Sequence, residues 1–213
     1  MTTHGHSLPP PGTIGSFDLS GGRPCLDFAN TLEDRLGEVR DRLTTFEDLV
    51  SWGGEAGLLV EGMNAELRKE AAEHPREAEG VLSAAKDLRE ALYAIFSSVA
   101  TGEAPEGEAV ALLNDALPEA MGAFRLAPAR PGLEWEWALS GAGLHGILAP
   151  LVKDAAELLT SPEVGRIREC ESETCAWLFL DQSRNRSRRW CDMNTCGNRA
   201  KARRHYERSR ASS

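Results

Sequence analysis

Four cysteines near the C-terminal end are the residues best equipped for chemistry in this chain. Cys170 and Cys175 form one Cys-x4-Cys pair, Cys191 and Cys196 a second, with residues 176–190 between them. Thiolates are soft ligands, and four of them suit tetrahedral zinc, each pair supplying two corners. Both spacings fall at the edges of those usual in zinc sites. Protein fills all four positions, so no corner stays open for water or substrate. The expected site is therefore one closed, structural Zn2+, with no catalytic residue. His205 falls too far beyond Cys196 along a helix to complete the same tetrahedron. An oxidising compartment would instead favour two disulfides, Cys170–Cys175 and Cys191–Cys196.

A run of arginines fills and follows the gap between the pairs. From Ser161 to Ser213 there are 12 basic residues against 7 acidic, leaving 12 against 26 in Met1–Thr160. The overall net charge of −9 thus hides a basic end of +5 on an acidic body of −14. Such asymmetry points to a nucleic-acid-facing tail. Arg184, Arg186, Arg188 and Arg189 are expected on a hairpin tip and rising strand, and Arg199, Lys201, Arg203, Arg204 and Arg208 on a last helix. That helix is basic nearly all round, so it cannot be a buried core helix. A surface helix of this kind fits the major groove, where arginine makes bidentate contacts to guanine. The plainer readings are a solvated charged face or a tail that holds phosphates without sequence preference. Part of the set also has a structural reading: Asn198 and Arg199, beside a ligand, are placed to bond to cysteine sulfurs or to Asp181.

The elements that must position these residues read as mainly α (α+β). A polar tail, residues 1–14, precedes a helical domain over 15–160 that includes a β-hairpin. A small four-cysteine zinc module follows over 161–213. Ser16 to Leu19 is a short strand, and Pro24 opens a helix to Arg35. Asp27 and Asn30 share a face of that helix. They either line a ligand pocket or, more simply, lock the helix to its neighbours. Thr45 with Asp48 forms a capping box for a helix ended by Gly53-Gly54. A third helix covers about 64–73, and Pro75 starts the longest, to about Ala100, with Leu88, Leu92 and Ile95 in its core stripe. A further helix from Glu106 stops at Pro118. Residues 123–127 and 133–139 alternate as a β-hairpin with Leu133, Trp135, Trp137 and Leu139 packed inward. In the zinc module a knuckle, a β-hairpin and a helix carrying the last ligand follow in a treble-clef-like order. Its hairpin joins Trp177–Leu180 to Arg189–Trp190, while Trp177, Phe179 and Trp190 cover the metal.

Two stretches are recognisable. Cys-x4-Cys-x-Trp-x-Phe-x-Asp over 170–181, with Ser-Arg-Asn-Arg-Ser-Arg-Arg-Trp-Cys-Asp-Met-x-x-Cys-Gly-Asn-Arg-x-Lys over 183–201, resembles the CGNR-type zinc finger. The tetrapeptide Cys196-Gly197-Asn198-Arg199 carries that name, and the likeness runs from about Arg166 to Arg204. Gly22-x-x-Cys-Leu-Asp-Phe-Ala-Asn-Thr31 with Asp48-Leu-Val-x-Trp52 looks like the ABATE domain that accompanies this finger in bacteria. The resemblance implies a stress-induced transcription regulator, its finger on DNA and its front domain sensing a small-molecule effector.

The sequence-level expectation is a zinc-dependent DNA-binding regulator, cytoplasmic and bacterial, with a homodimer compatible with two-fold operators. The alternative is a zinc-stapled module for RNA or an acidic protein. An enzyme is not expected, because no nucleophile–base pair and no phosphate-binding glycine loop is evident. Nor is a membrane partner, since no run approaches the roughly 18 apolar residues of a span.

Overall fold

The structure is a computed structural model and describes residues 17–59, 62–137 and 143–211. The expected tail 1–14, Ser16, Leu139 and the side chain of Arg204 lie outside the described residues.

Helix α1 is short, Pro24–Ala29. Proline suits its first turn, where an N–H would lack a partner anyway. The free amide of Cys25 donates instead to Asp154 Oδ2 at 2.9 Å, and Arg23 closes on the same carboxylate at 2.6 Å. The helix does not run on to Arg35 as its sequence suggested. Thr31 bends its hydroxyl back to the Phe28 carbonyl at 2.7 Å and Asn30 turns its amide to another segment, so the backbone leaves the helix there. It continues as β1 (Leu32–Glu33), paired antiparallel with β2 (Arg40–Asp41). No strand forms over residues 17–19.

Helix α2 (Phe46–Glu55) starts on the expected capping box: Thr45 Oγ1 accepts from Asp48 N, and Asp48 accepts from Thr45 N. Helices α3 (Met63–Glu73) and α4 (Pro75–Thr101) follow. Val81, Ala85, Leu88, Leu92 and Ile95 recur at three- and four-residue steps along α4, so one stripe of it is buried. Helix α5 (Gly107–Gly122) runs through Pro118, which was expected to stop it. Pro118 and Asn114, whose carbonyl loses its partner, are both exposed, so water can replace the missing bond.

Strands β3 (Phe124–Ala129) and β4 (Gly132–Trp137) form the expected hairpin, with Leu126 opposite Trp135 and Phe124 opposite Trp137. Its apolar face is not packed inward as expected. Leu126, Leu133 and Trp135 are 56%, 63% and 48% exposed, because among the described residues of the two strands only Phe124, at the base of the hairpin, meets the core. A 3-10 segment, Leu144–Leu148, leads into α6 (Ala149–Thr160), with Pro150 in its first turn.

A second 3-10 segment, Pro162–Arg166, opens the zinc module. Strand β5 (Ile167–Glu169) pairs antiparallel with β6 (Leu178–Leu180). The module's hairpin therefore brackets the first cysteine pair; residues 189–190, expected to be its second strand, form none. A single π-turn, Met193–Gly197, enters α7 (Asn198–Ala211). One core centred on α4 serves nearly everything. Ile167, Leu178 and Leu180, all at most 1% exposed, belong to it with Phe28, Leu92 and Phe96 of the body. No helix of the described residues is long and apolar enough to cross a membrane.

Candidate metal centre and basic surface

Cys170 follows β5 directly, Cys175 closes the knuckle, Cys191 follows a long loop, and Cys196 sits in the π-turn before α7. The fold brings the four sulfurs within 4.8 Å of one another, all buried. The knuckle is closed by hydrogen bonds from Cys170 N to the Trp177 carbonyl (2.8 Å) and from Cys175 N to the Ser172 carbonyl (3.2 Å). It turns at Ala176, whose φ of +56° is a left-handed backbone that side chains rarely adopt. Phe179 lies fully buried against the sulfurs, and Trp177 and Trp190 pack half-buried beside them.

Crowding sets the chemistry of these thiols. Hydrogen bonds donated by Cys175 and Cys191 pull the Cys170 thiol down to about 7. Bonds from Cys170, Cys175 and Cys191 pull Cys196 lower still. The same contacts, with burial, push Cys175 and Cys191 up. Four thiols so close cannot all ionise against one another. A divalent cation taking all four as thiolates removes the conflict, and four buried sulfur donors at this separation fit tetrahedral zinc. The centre is a structural site for one zinc ion.

Around it the arginines divide into two kinds. Arg188 turns inward: its guanidinium stacks on Phe179 at 4.5 Å and donates to the Trp190 carbonyl at 2.9 Å and to the Cys191 carbonyl. The fully buried Asp181 accepts from the amides of Ser183 (2.9 Å) and Arg188 (3.0 Å) and so shapes the loop between the pairs. Burial alone would raise the Asp181 carboxyl, but those hydrogen bonds outweigh it and hold it below the usual range. Arg199 donates to Thr174 Oγ1 and Asn198 to the Asn194 carbonyl; the expectation that they serve sulfur or Asp181 is not met. Arg189 pairs with Glu171, and Arg203 with Glu173. Both acids lie on the knuckle and restrain the basic surface, through pairings that no sequence pattern announces. Arg184, Arg186 and Lys201 are exposed, and among the described residues their side chains have no partner. Arg208 is also exposed, on α7.

Asp27 and Asn30 hydrogen-bond to different segments of the chain. Asn30 donates to the Leu178 carbonyl and accepts from the Leu178 amide, both at 2.8 Å, so its side chain completes the edge of β6. Asp27 Oδ1 accepts from Gly21 N at 2.7 Å, and the Gly21 carbonyl accepts from Leu180 N at 2.8 Å. A Cβ at Gly21 would stand 2.7 Å from Asp27 Oδ1, so this approach requires glycine. The fifth cysteine, Cys25, is fully buried, which pushes its thiol well up.

Burial raises the Asp27 carboxyl to about 7 against the lowering effect of the Gly21 amide. Folding therefore favours its neutral form. Asp27 stabilises the fold fully below about pH 4, and that contribution is lost as pH rises through about 7. Asp27→Asn retains an oxygen for Gly21. It is expected to match or exceed the native chain at pH 8, by up to about 4 kcal/mol, and to flatten stability between those limits. Urea unfolding at pH 5 and pH 8 checks this; a variant less stable than native at pH 8 would contradict it.

Compared with known proteins, the chain matches two family models. Residues 22–162 match ABATE, described as "Putative stress-induced transcription regulator", and residues 166–209 match the CGNR zinc finger. No curated protein matches it.

Proposed function

The chain belongs to the ABATE family and ends in a CGNR zinc finger, and from that premise we propose that it is a DNA-binding regulator of transcription. Zinc is the staple in this reading and does no chemistry. The observation that carries it is the open basic set, Arg184 and Arg186 on the loop between the two cysteine pairs and Lys201 on α7, two segments that adjoin the four zinc ligands in the chain. Arg184 and Arg186 crown the loop that Asp181 and Arg188 hold in shape, with Arg186 itself at φ +49°. Exposed guanidinium and ammonium groups without protein partners have phosphate oxygens as their natural partners. Residues 15–160 carry the regulatory, effector-sensing part and 161–213 the reading head, with Arg204 and Arg208 further along α7. An RNA-stacking role would need Trp177 or Phe179 free; Phe179 is fully buried and Trp177 packs against the sulfurs.

Binding to a DNA duplex pool at several salt concentrations tests the proposal. The triple variant Arg184→Ala, Arg186→Ala, Lys201→Ala is expected to lower the log–log salt slope by about 2–3, roughly 0.9 for each phosphate no longer neutralised. Its affinity near 0.1 M salt falls about tenfold or more. Glu171→Gln with Glu173→Gln should act in the opposite direction, strengthening binding severalfold by releasing Arg189 and Arg203. Unchanged affinity and slope in the triple variant would remove this surface from consideration.

A further inference from the structure

We propose that the hollow between α4, α5 and the start of α6 binds a small organic cation with an apolar body. Ala84, Ala116, Ala120 and Ala149 line it, and their short side chains leave helices at packing distance with unfilled space between them. Leu88 and Val152 supply larger apolar walls. The cavity measures about 330 Å3, within the range of small-molecule sites.

Charge decides which ligand it takes. Asp87, Asp115 and Glu119 also line the hollow and are exposed. Among the described residues, His145 is the one other titratable group on its wall, and no lysine or arginine lines it. Elsewhere Glu47, Glu90, Glu136 and Glu171 each hold a cationic side chain. Among the described residues, Asp87, Asp115 and Glu119 hold none. Apolar walls with three unpaired carboxylates favour a ligand with a hydrocarbon or aromatic body and an ammonium or guanidinium group. An anionic ligand of the same shape would meet three like charges with no counter-charge on the wall.

The site gives the sensing half of the proposed function a location and a ligand class, and rests on that half. It is measured without DNA, so failure of DNA binding and failure of this site are separate results. The test titrates the zinc-loaded full chain with phenethylamine and tryptamine, and in parallel with phenylacetate and indole-3-acetate, by calorimetry and ligand-observed NMR. At least one amine is expected to bind with Kd below about 1 mM, and neither carboxylate to bind in that range. Asp115→Asn with Glu119→Gln, both exposed positions, should weaken the amine about tenfold while leaving the unfolding temperature unchanged. Ala116→Leu, which fills the hollow, should abolish binding. The proposal is overturned if neither amine binds, if the carboxylates bind as well as the amines, or if the double variant binds the amine as tightly as the native chain.

Discussion

Replacing Cys191 with serine, or removing zinc with a chelator, is expected to lower the melting temperature of the entire chain in one transition. A finger on a tether would lose its own structure and leave the body alone. This one shares its core with the body. Ile167, Leu178 and Leu180 pack among the residues of α1, α4 and α6. Tyr93 Oη donates to the Ala176 carbonyl at 3.1 Å, Ser97 Oγ to Glu169 at 2.6 Å, and Leu36 N to the Thr174 carbonyl at 3.3 Å. Structural zinc contributes about 10–16 kcal/mol to the folding of small finger peptides. If even a third of that passes to the body, a chain of this size loses about 10–20 °C. Far-ultraviolet dichroism follows mainly the helices of the body, and tryptophan fluorescence sums Trp177 and Trp190 of the finger with Trp52, Trp135 and Trp137 of the body. The two should fall together and early once the metal is gone. A helical transition unchanged by chelator would show that the finger folds and melts apart from the body.

Asn30→Ala should produce the next largest loss, about 2–5 kcal/mol, because alanine would leave a buried N–H and a buried C=O unsatisfied, at about 1–3 kcal/mol each. Asn30 is 2% exposed, and its amide makes both hydrogen bonds to the Leu178 peptide. Asn30→Asp keeps an acceptor for Leu178 N but sets a carboxylate against the Leu178 carbonyl, so it should be no better at neutral pH. The denaturant midpoint is the measurement, with the slope expected to hold. A loss under about 0.5 kcal/mol for Asn30→Ala would mean that water or a shifted backbone replaces the amide, and that this link does not fasten the finger to α1.

Much of the fold was legible because it depends on local rules. The Thr45–Asp48 box, the start of α4 at Pro75 and its buried stripe rest on residues a few positions apart. The misreadings have equally physical causes. Alternation identified the β3–β4 hairpin but could not tell that Leu126, Leu133 and Trp135 extend past the body. Helical spacing over 24–35 hid the exit at Asn30, because the partner that draws Asn30 out lies on β6. Arg188 looked like its neighbours Arg186 and Arg189, yet it faces Phe179 and the Cys191 carbonyl. Arginine count measures charge and is silent on direction.

The donor set of the metal centre was legible in the sequence, since ligand chemistry depends on residue type and spacing. The basic character of residues 161–213 was legible for the same reason. The fold, by bringing all four free sulfurs within 4.8 Å of one another, decided for one four-thiolate site over two disulfides. Only the tertiary structure decided how that centre is attached and which arginines remain open. Asn30 meets Leu178, and Glu171 and Glu173 meet Arg189 and Arg203, across sequence separations that no local pattern encodes. The two cysteine pairs hold zinc by virtue of their spacing and of the fold that gathers their sulfurs. The finger is part of the body because one core closes over both.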